Sequence, residues 1–110
     1  MTDLQRAVEE HTGLFNSCVT SGDWSPFVET FTDDAVMRFV NVPAGPYDGR
    51  TAIAAAYATT PPDDTMRITS VEELASDTAR ARFAWDHGGH GAMTVRWRDG
   101  QVADLTIAFD

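Results

Sequence analysis

Between Thr78 and His87, the residues Ala79, Ala81, Phe83, Trp85 and His87 alternate with Arg80, Arg82, Ala84 and Asp86. A strand with that pattern has one apolar face and one charged face, and it is stable only in a sheet that is covered on one side. Met93, Val95 and Trp97 alternate in the same way with Thr94, Arg96 and Arg98, and Leu105, Ile107 and Phe109 share one face of a last strand. If the apolar sets lie on a common face, Trp85 is predicted to pair with Met93 around a Gly88-Gly89-His90 loop. Asp99-Gly100 is the strongest two-residue hairpin signal in the chain.

The first half of the chain supplies the cover. Thr2-Asp3-Leu4-Gln5 reads as a capping box, and Leu4, Ala7, Val8, His11, Leu14, Phe15, Cys18 and Val19 follow at helical spacing as far as Ser21-Gly22. Asp23 or Ser25 can cap a short second helix with Pro26 in its first turn and Phe27, Val28 and Phe31 on its apolar side. Thr32-Asp33-Asp34 is expected to stop that helix, and Ala35 to Val42 is of strand type. Pro43-Ala44-Gly45-Pro46 interrupts regular structure, Tyr47 to Arg50 reads as a turn, and Thr51 to Ala58 forms a third helix. Thr59 to Asp64, with Pro61-Pro62 at its centre, is expected to be a flexible loop. The 110 residues fit a single α+β domain spanning 1–110, with N-terminal helices packed on a curved antiparallel sheet around a pocket.

A net charge of −9 opposes binding to nucleic acid and to anionic lipid surfaces. All eight basic residues are arginine, so Schiff-base and lysine-base mechanisms are excluded. Cys18 has no internal partner and Met1-Thr2-Asp3-Leu4 lacks the basic start of a signal peptide, so a cytoplasmic setting is expected.

Four segments carry a family resemblance: Ser21-Gly22-Asp23-Trp24; Phe31-Thr32-Asp33-Asp34-Ala35-Val36; Tyr47-Asp48-Gly49-Arg50-Thr51-Ala52-Ile53 leading to Tyr57; and Val95-Arg96-Trp97-Arg98-Asp99-Gly100-Gln101-Val102. In this order and spacing, over essentially the whole chain, they resemble the nuclear transport factor 2-like superfamily. Its cystatin-like cone includes ketosteroid isomerases, polyketide cyclases and SnoaL-like domains. The resemblance implies a cavity lined by Phe15, Met37, Phe39, Phe83, Trp85, Met93, Val95, Leu105, Ile107 and Phe109, the same residues that alternation turns inward. It also implies a homodimer through the outer sheet face, where Arg80, Arg82, Arg96 and Arg98 fall together with Asp104 and Asp110. Ketosteroid isomerases use an aspartate base and an oxyanion hole of a tyrosine and a protonated aspartic acid. By the resemblance those positions fall on Phe39, Phe15 and Met93, which handle no protons, unless a bulge turns Arg38 or Asn41 inward.

Three residues remain as candidates for chemistry. His87 keeps the parity of Trp85 and Phe83, His11 lies on the buried stripe of the first helix, and Tyr57 can turn its hydroxyl toward the cavity. Each histidine is either a proton-transfer group or a hydrogen-bonded rim or core residue. Asp86, His87 and His90 could ligate a metal, but the two intervening glycines are more simply a tight loop, so neither metal nor cofactor is predicted. Cys18 reads as an inert core thiol. The leading expectation is a domain that binds a small, largely apolar molecule. The alternatives are an isomerase or cyclase for a steroid-like or polyketide-like substrate using His87, with His11 or Tyr57, and a structural homodimer module with a filled core.

Overall fold

A computed structural model describes residues 2–110; Met1, at the head of the N-terminal segment considered above, lies outside the described residues. Helix α1 spans Asp3–Ser21 and starts where its sequence requires. The Gln5 backbone N–H donates to Thr2 Oγ1 at 3.1 Å and the Thr2 N–H donates to Gln5 Oε1 at 3.0 Å, so both orphan amides are satisfied. Gly22, at φ 79, ends the helix in the left-handed conformation by donating its N–H to the Cys18 carbonyl. The short helix α2, Ser25–Val28, is introduced by Asp23, whose carboxylate accepts from the Ser25 N–H at 3.0 Å.

Strand β1 runs over Phe31–Val40, which corrects the expected start at Ala35. Phe31 pairs with Val102, and the register shifts between Phe31 and Val36, so Thr32-Asp33-Asp34 forms an irregular stretch within the strand instead of a stop before it. The acids are taken up by partners in the sheet and in the following helix: Asp34 accepts from Thr32 at 2.9 Å and from Arg98 at 2.5 Å, and Asp33 pairs with Arg50. Strand β2 (Tyr47–Asp48), helix α3 (Arg50–Thr59) and strands β3 (Met66–Ala75), β4 (Thr78–Trp85), β5 (His90–Arg98) and β6 (Gln101–Phe109) complete the chain.

The six strands form one curved sheet in the order β2-β1-β6-β5-β4-β3. All neighbouring pairs are antiparallel except β1 and β6, which run parallel, so the sheet is mixed rather than wholly antiparallel. A parallel pair needs a long crossover, and the stretch between β1 and β6, containing α3 and a hairpin, provides one. The Asp99-Gly100 turn has φ 53 and 81 at its two residues and sets Arg98 opposite Gln101.

The β4–β5 register corrects the expected pairing of Trp85 with Met93. Met93 stands opposite Ala81, and Phe83 stands opposite Gly91. The turn closes immediately after Trp85 because Gly88 and Gly89 take φ 109 and 94, and the Trp85 N–H donates to the Gly89 carbonyl at 2.9 Å. The displacement is an even number of residues, so the paired side chains within the two strands keep their expected faces. Gly91 is required at its position: a Cβ there would lie 2.4 Å from the Ala108 carbonyl oxygen and 3.0 Å from Phe83.

Helix α1 lies across the inner face of the sheet and is fastened to its edge by Asn16. The Asn16 side-chain amide donates to the Met66 carbonyl and accepts from the Met66 N–H, both at 2.9 Å, in the manner of an added strand residue. Helices and sheet share one core, in which Val8, Phe27, Phe31, Ile53 and Val95 are fully buried. The outer sheet face carries ion pairs between Arg38 and Asp104, Arg80 and Glu72, Arg82 and Asp110, and Arg98 and Asp34. Cross-strand charge pairing of this kind accounts for the arginines without a ligand.

Candidate functional site

The helices do not fill the cone. A cavity of about 490 Å³ remains between α1, α3 and the concave face of the sheet. Met37 and Phe39 of β1, Phe83 and Trp85 of β4, Met93 of β5, and Leu105, Ile107 and Phe109 of β6 form its sheet wall. Phe15 contributes from α1, so the inward-alternating residues all line the cavity except Val95. Val95 lies two positions beyond Met93 on β5, between Ala79 and Leu105, and is 0% exposed. It belongs to the closed end of the core, where no space is left.

Sequence periodicity gave no sign of several wall residues. Phe27 of α2 closes the inner end, Met66 reaches in from β3, and Ala44, Tyr47, Thr60, Pro62, Asp63, Asp64 and Gly88 surround the mouth. Most of these lie on loops or at element ends, where neither period two nor period 3.6 applies. The Thr59–Asp64 segment, expected only to be flexible, thus builds one side of the entrance.

The wall is aromatic over much of its area. Phe109 stacks on Phe39 at 6.1 Å and on Trp85 at 6.4 Å between ring centroids, and all three are half-buried and line the cavity. Arg38 and Asn41 point elsewhere: Arg38 donates to both oxygens of Asp104, at 2.8 and 2.9 Å, and Asn41 donates to the Phe109 carbonyl. The register shift in β1 therefore brings no polar side chain inward beside Phe39.

His87 does not enter the cavity, contrary to its strand parity. Strand β4 ends at Trp85, and the tight turn carries His87 outward until its side chain is 85% exposed. Its Nδ1 meets Asp64 Oδ1 at 2.7 Å and its backbone N–H donates to Asp64 Oδ2 at 3.0 Å, tying the hairpin to the mouth loop. The hydrogen bond to Asp64, then the charge of Asp64, raise the His87 pKa. Burial works to raise the Asp64 carboxyl, but the His87 hydrogen bonds and charge outweigh it and the net shift is downward. His90 faces Asp110 and Asp86 faces Thr65 and Arg67, so Asp86, His87 and His90 diverge. No cluster of three or more potential metal ligands occurs among the described residues.

His11 and Tyr57 are the polar groups that do reach the inner cavity. His11 is 8% exposed and packs against the rings of Phe27 and Phe31 at 4.9 and 6.4 Å; burial lowers its pKa to about 4. Tyr57 is stacked on Trp24 at 4.7 Å and directs its hydroxyl at Met37 Sδ, 3.5 Å away, with its pKa raised by burial. Cys18 is buried in the core, where desolvation raises its thiol pKa, as expected of an inert residue.

Among solved structures, the chain is similar to a putative isomerase from Bacillus subtilis, with a TM-score of 0.79 and 18% identity over 100% of this chain and 90% of that one. It is similar to a Mycobacterium tuberculosis protein in complex with estradiol-17beta-hemisuccinate, with a TM-score of 0.74 and 16% identity over 94% of each chain. A computationally designed 17-OHP binder aligns with a TM-score of 0.72 and 17% identity, over 94% of this chain and 91% of the other. At these identities the likeness is one of fold. No curated protein matches the sequence. The family described as SnoaL-like domain matches residues 12–105, and with the conical fold this makes the chain a member of the SnoaL-like family within the nuclear transport factor 2-like superfamily.

Proposed function

We propose that the domain binds a small, largely apolar molecule in the cone cavity. The observation that carries this reading is the group Phe39, Trp85 and Phe109, which line a space of about 490 Å³ where a structural core would place side chains. Ligand sites generally fall between about 300 and 1,000 Å³ and are lined mainly by apolar and aromatic groups with a few placed polar ones. A filled-core homodimer module has no use for such a space, since every unpacked wall atom forgoes dispersion contacts. Two proteins of similar fold support this reading: one from Mycobacterium tuberculosis was solved in complex with estradiol-17beta-hemisuccinate, and another is a designed 17-OHP binder.

Binding is favoured over isomerase or cyclase chemistry by the proton-handling groups. His87 is outside the cavity, and Phe15, Phe39 and Met93 exchange no protons. His11 is inside, but no acidic group lines the inner cavity with it, and the Tyr57 hydroxyl, the other inner proton donor, is turned to Met37. Two further elements belong to this proposal: pairing of two copies through the outer sheet face, supported by the small residues Ala84, Ala92, Thr94, Thr106 and Ala108 between its arginines, and a cytoplasmic setting, supported by the single buried cysteine. No helix among the described residues is long and apolar enough to cross a membrane.

Titration with pyrene, a neutral fluorescent hydrocarbon, tests the binding reading. Saturable binding, reduced when Trp85→Glu places a charge on the wall, is expected. Absence of saturable pyrene binding would overturn it.

A further inference from the structure

The cavity wall is apolar except at one inner place and at its mouth. At the inner end, the His11 ring is more than nine-tenths buried, lines the cavity, and makes no hydrogen bond to the protein among the described residues. Its neighbours are the rings of Phe27 and Phe31, which offer neither a donor nor an acceptor of ordinary strength. No fully buried side-chain nitrogen or oxygen is left without a partner among the described residues, so the His11 ring nitrogens are open to the cavity and free to bond a group placed there. Tyr57, whose ring lies 5.3 Å from Phe27 on another side, presents a hydroxyl held only by the weak sulfur acceptor of Met37. Two polar groups with unused hydrogen-bonding capacity therefore flank Phe27.

The charges around the cavity narrow the choice of partner. No arginine lines it, the ionised groups at its mouth are Asp63 and Asp64, and the whole chain carries −9. A carboxylate or phosphate would pass two like charges and find no cation inside. A neutral imidazole has one N–H donor and one nitrogen acceptor, and a hydroxyl group can satisfy either.

Building on the binding reading above, we propose that the ligand is an uncharged apolar molecule bearing a hydroxyl group, seated hydroxyl-first so that this group hydrogen-bonds His11 beside Phe27 while its apolar body lies against the Phe39–Phe109–Trp85 wall. His11 is in this sense the specificity-determining residue of the cavity.

A matched set of probes separates this inference from the binding reading itself: pyrene, 1-hydroxypyrene and 1-pyrenecarboxylate, which share one apolar body. The protein is expected to bind 1-hydroxypyrene about tenfold more tightly than pyrene, the worth of one well-made buried hydrogen bond, and to bind the carboxylate more weakly than either. In His11→Phe the ratio of hydroxypyrene to pyrene affinity should fall to near one, whereas His11→Gln, which keeps a donor and an acceptor, should retain part of it. A measurement on the unaltered protein stands beside the variants: the His11 ring nitrogen resonances should move on adding 1-hydroxypyrene and stay in place on adding an equally saturating amount of pyrene. If pyrene does not bind at all, the binding reading fails. If pyrene binds but the hydroxyl brings no gain, or the gain persists in His11→Phe, or the ring nitrogens respond equally to both probes, the cavity binds apolar molecules and the hydroxyl preference is wrong.

Discussion

The burial of His11 has a consequence for acid stability that is large enough to measure. In the unfolded chain its imidazole takes up a proton as pH falls through about 6.5, whereas in the folded protein uptake is delayed to about 4. Between these values the unfolded state binds one more proton, so stability rises with pH. The contribution is fully present above 6.5, is lost progressively as pH falls, and is gone once pH is below about 4. With ~1.4 kcal/mol for each tenfold difference in proton affinity, the lowering from 6.5 to about 4 makes the protein about 3 kcal/mol less stable at pH 4 than at pH 7.5 on account of this one residue. That is a large fraction of the ~5–15 kcal/mol by which domains are stable.

Other shifted groups titrate outside this window. The Arg98 hydrogen bond, followed by the Thr32 hydrogen bond, holds Asp34 down to about 2, so its stabilisation is lost only as pH falls below the ordinary carboxylate value of 3.8. His87 acts in the opposite sense: raised by Asp64, its contribution is fully present below 6.5 and is lost as pH rises through its higher folded value. Urea unfolding of wild type and His11→Phe at intervals from pH 4 to 7.5 isolates the His11 effect. Wild type should lose about 3 kcal/mol more than the variant across that range. Parallel curves for the two proteins, or a His11 NMR titration midpoint near 6.5, would refute the reasoning, because either result means that the imidazole is hydrated where it sits.

Three further outcomes follow from particular contacts. Gly91→Ala would force a methyl to 2.4 Å from the Ala108 carbonyl, and since backbone must move to relieve it, a loss of about 2 kcal/mol or more in urea unfolding is expected; an unchanged midpoint would show that the β5–β6 spacing is looser than described. Conjugation of a β,γ-unsaturated ketosteroid, followed by ultraviolet absorbance, should be near zero, because the positions where the resemblance puts acid and base groups worth ~10²–10⁴-fold each hold Phe15, Phe39 and Met93; rapid turnover abolished by His87→Ala would overturn this. Sedimentation at micromolar concentration should give twice the 12.0 kDa chain mass, and Arg82→Glu, which sets a negative charge against Asp110, should weaken the pair; a strict monomer at high concentration would refute pairing through this face.

The sequence made legible those features that depend on period and parity. Inward alternation placed Met37, Phe83, Met93, Leu105 and Phe109 on the cavity wall even though the β4–β5 register was displaced, because a shift by an even number of residues leaves each side chain on its face. Parity fails where a strand ends, and Trp85 and His87 mark the two sides of that boundary. Both have the same alternation, yet Trp85 is the last residue of β4 and faces the cavity, while His87 sits in a glycine turn and faces solvent. The backbone freedom that Gly88 and Gly89 give the turn is what removes the constraint on direction. The boundary of β1 was hidden for a different reason: Thr32-Asp33-Asp34 has the local chemistry of a helix stop, and only the distant partners Arg50, Arg98 and Val102 make it part of a strand. His11 shows how parity and chemistry combine. Helical spacing put it on the buried stripe, but only the position of Phe27 beside it and the open space in front of it distinguish a packed core histidine from one whose ring nitrogens are open to the cavity. That difference lies in packing between elements far apart in the chain, and it is the difference on which the choice between a passive cavity and a selective one turns.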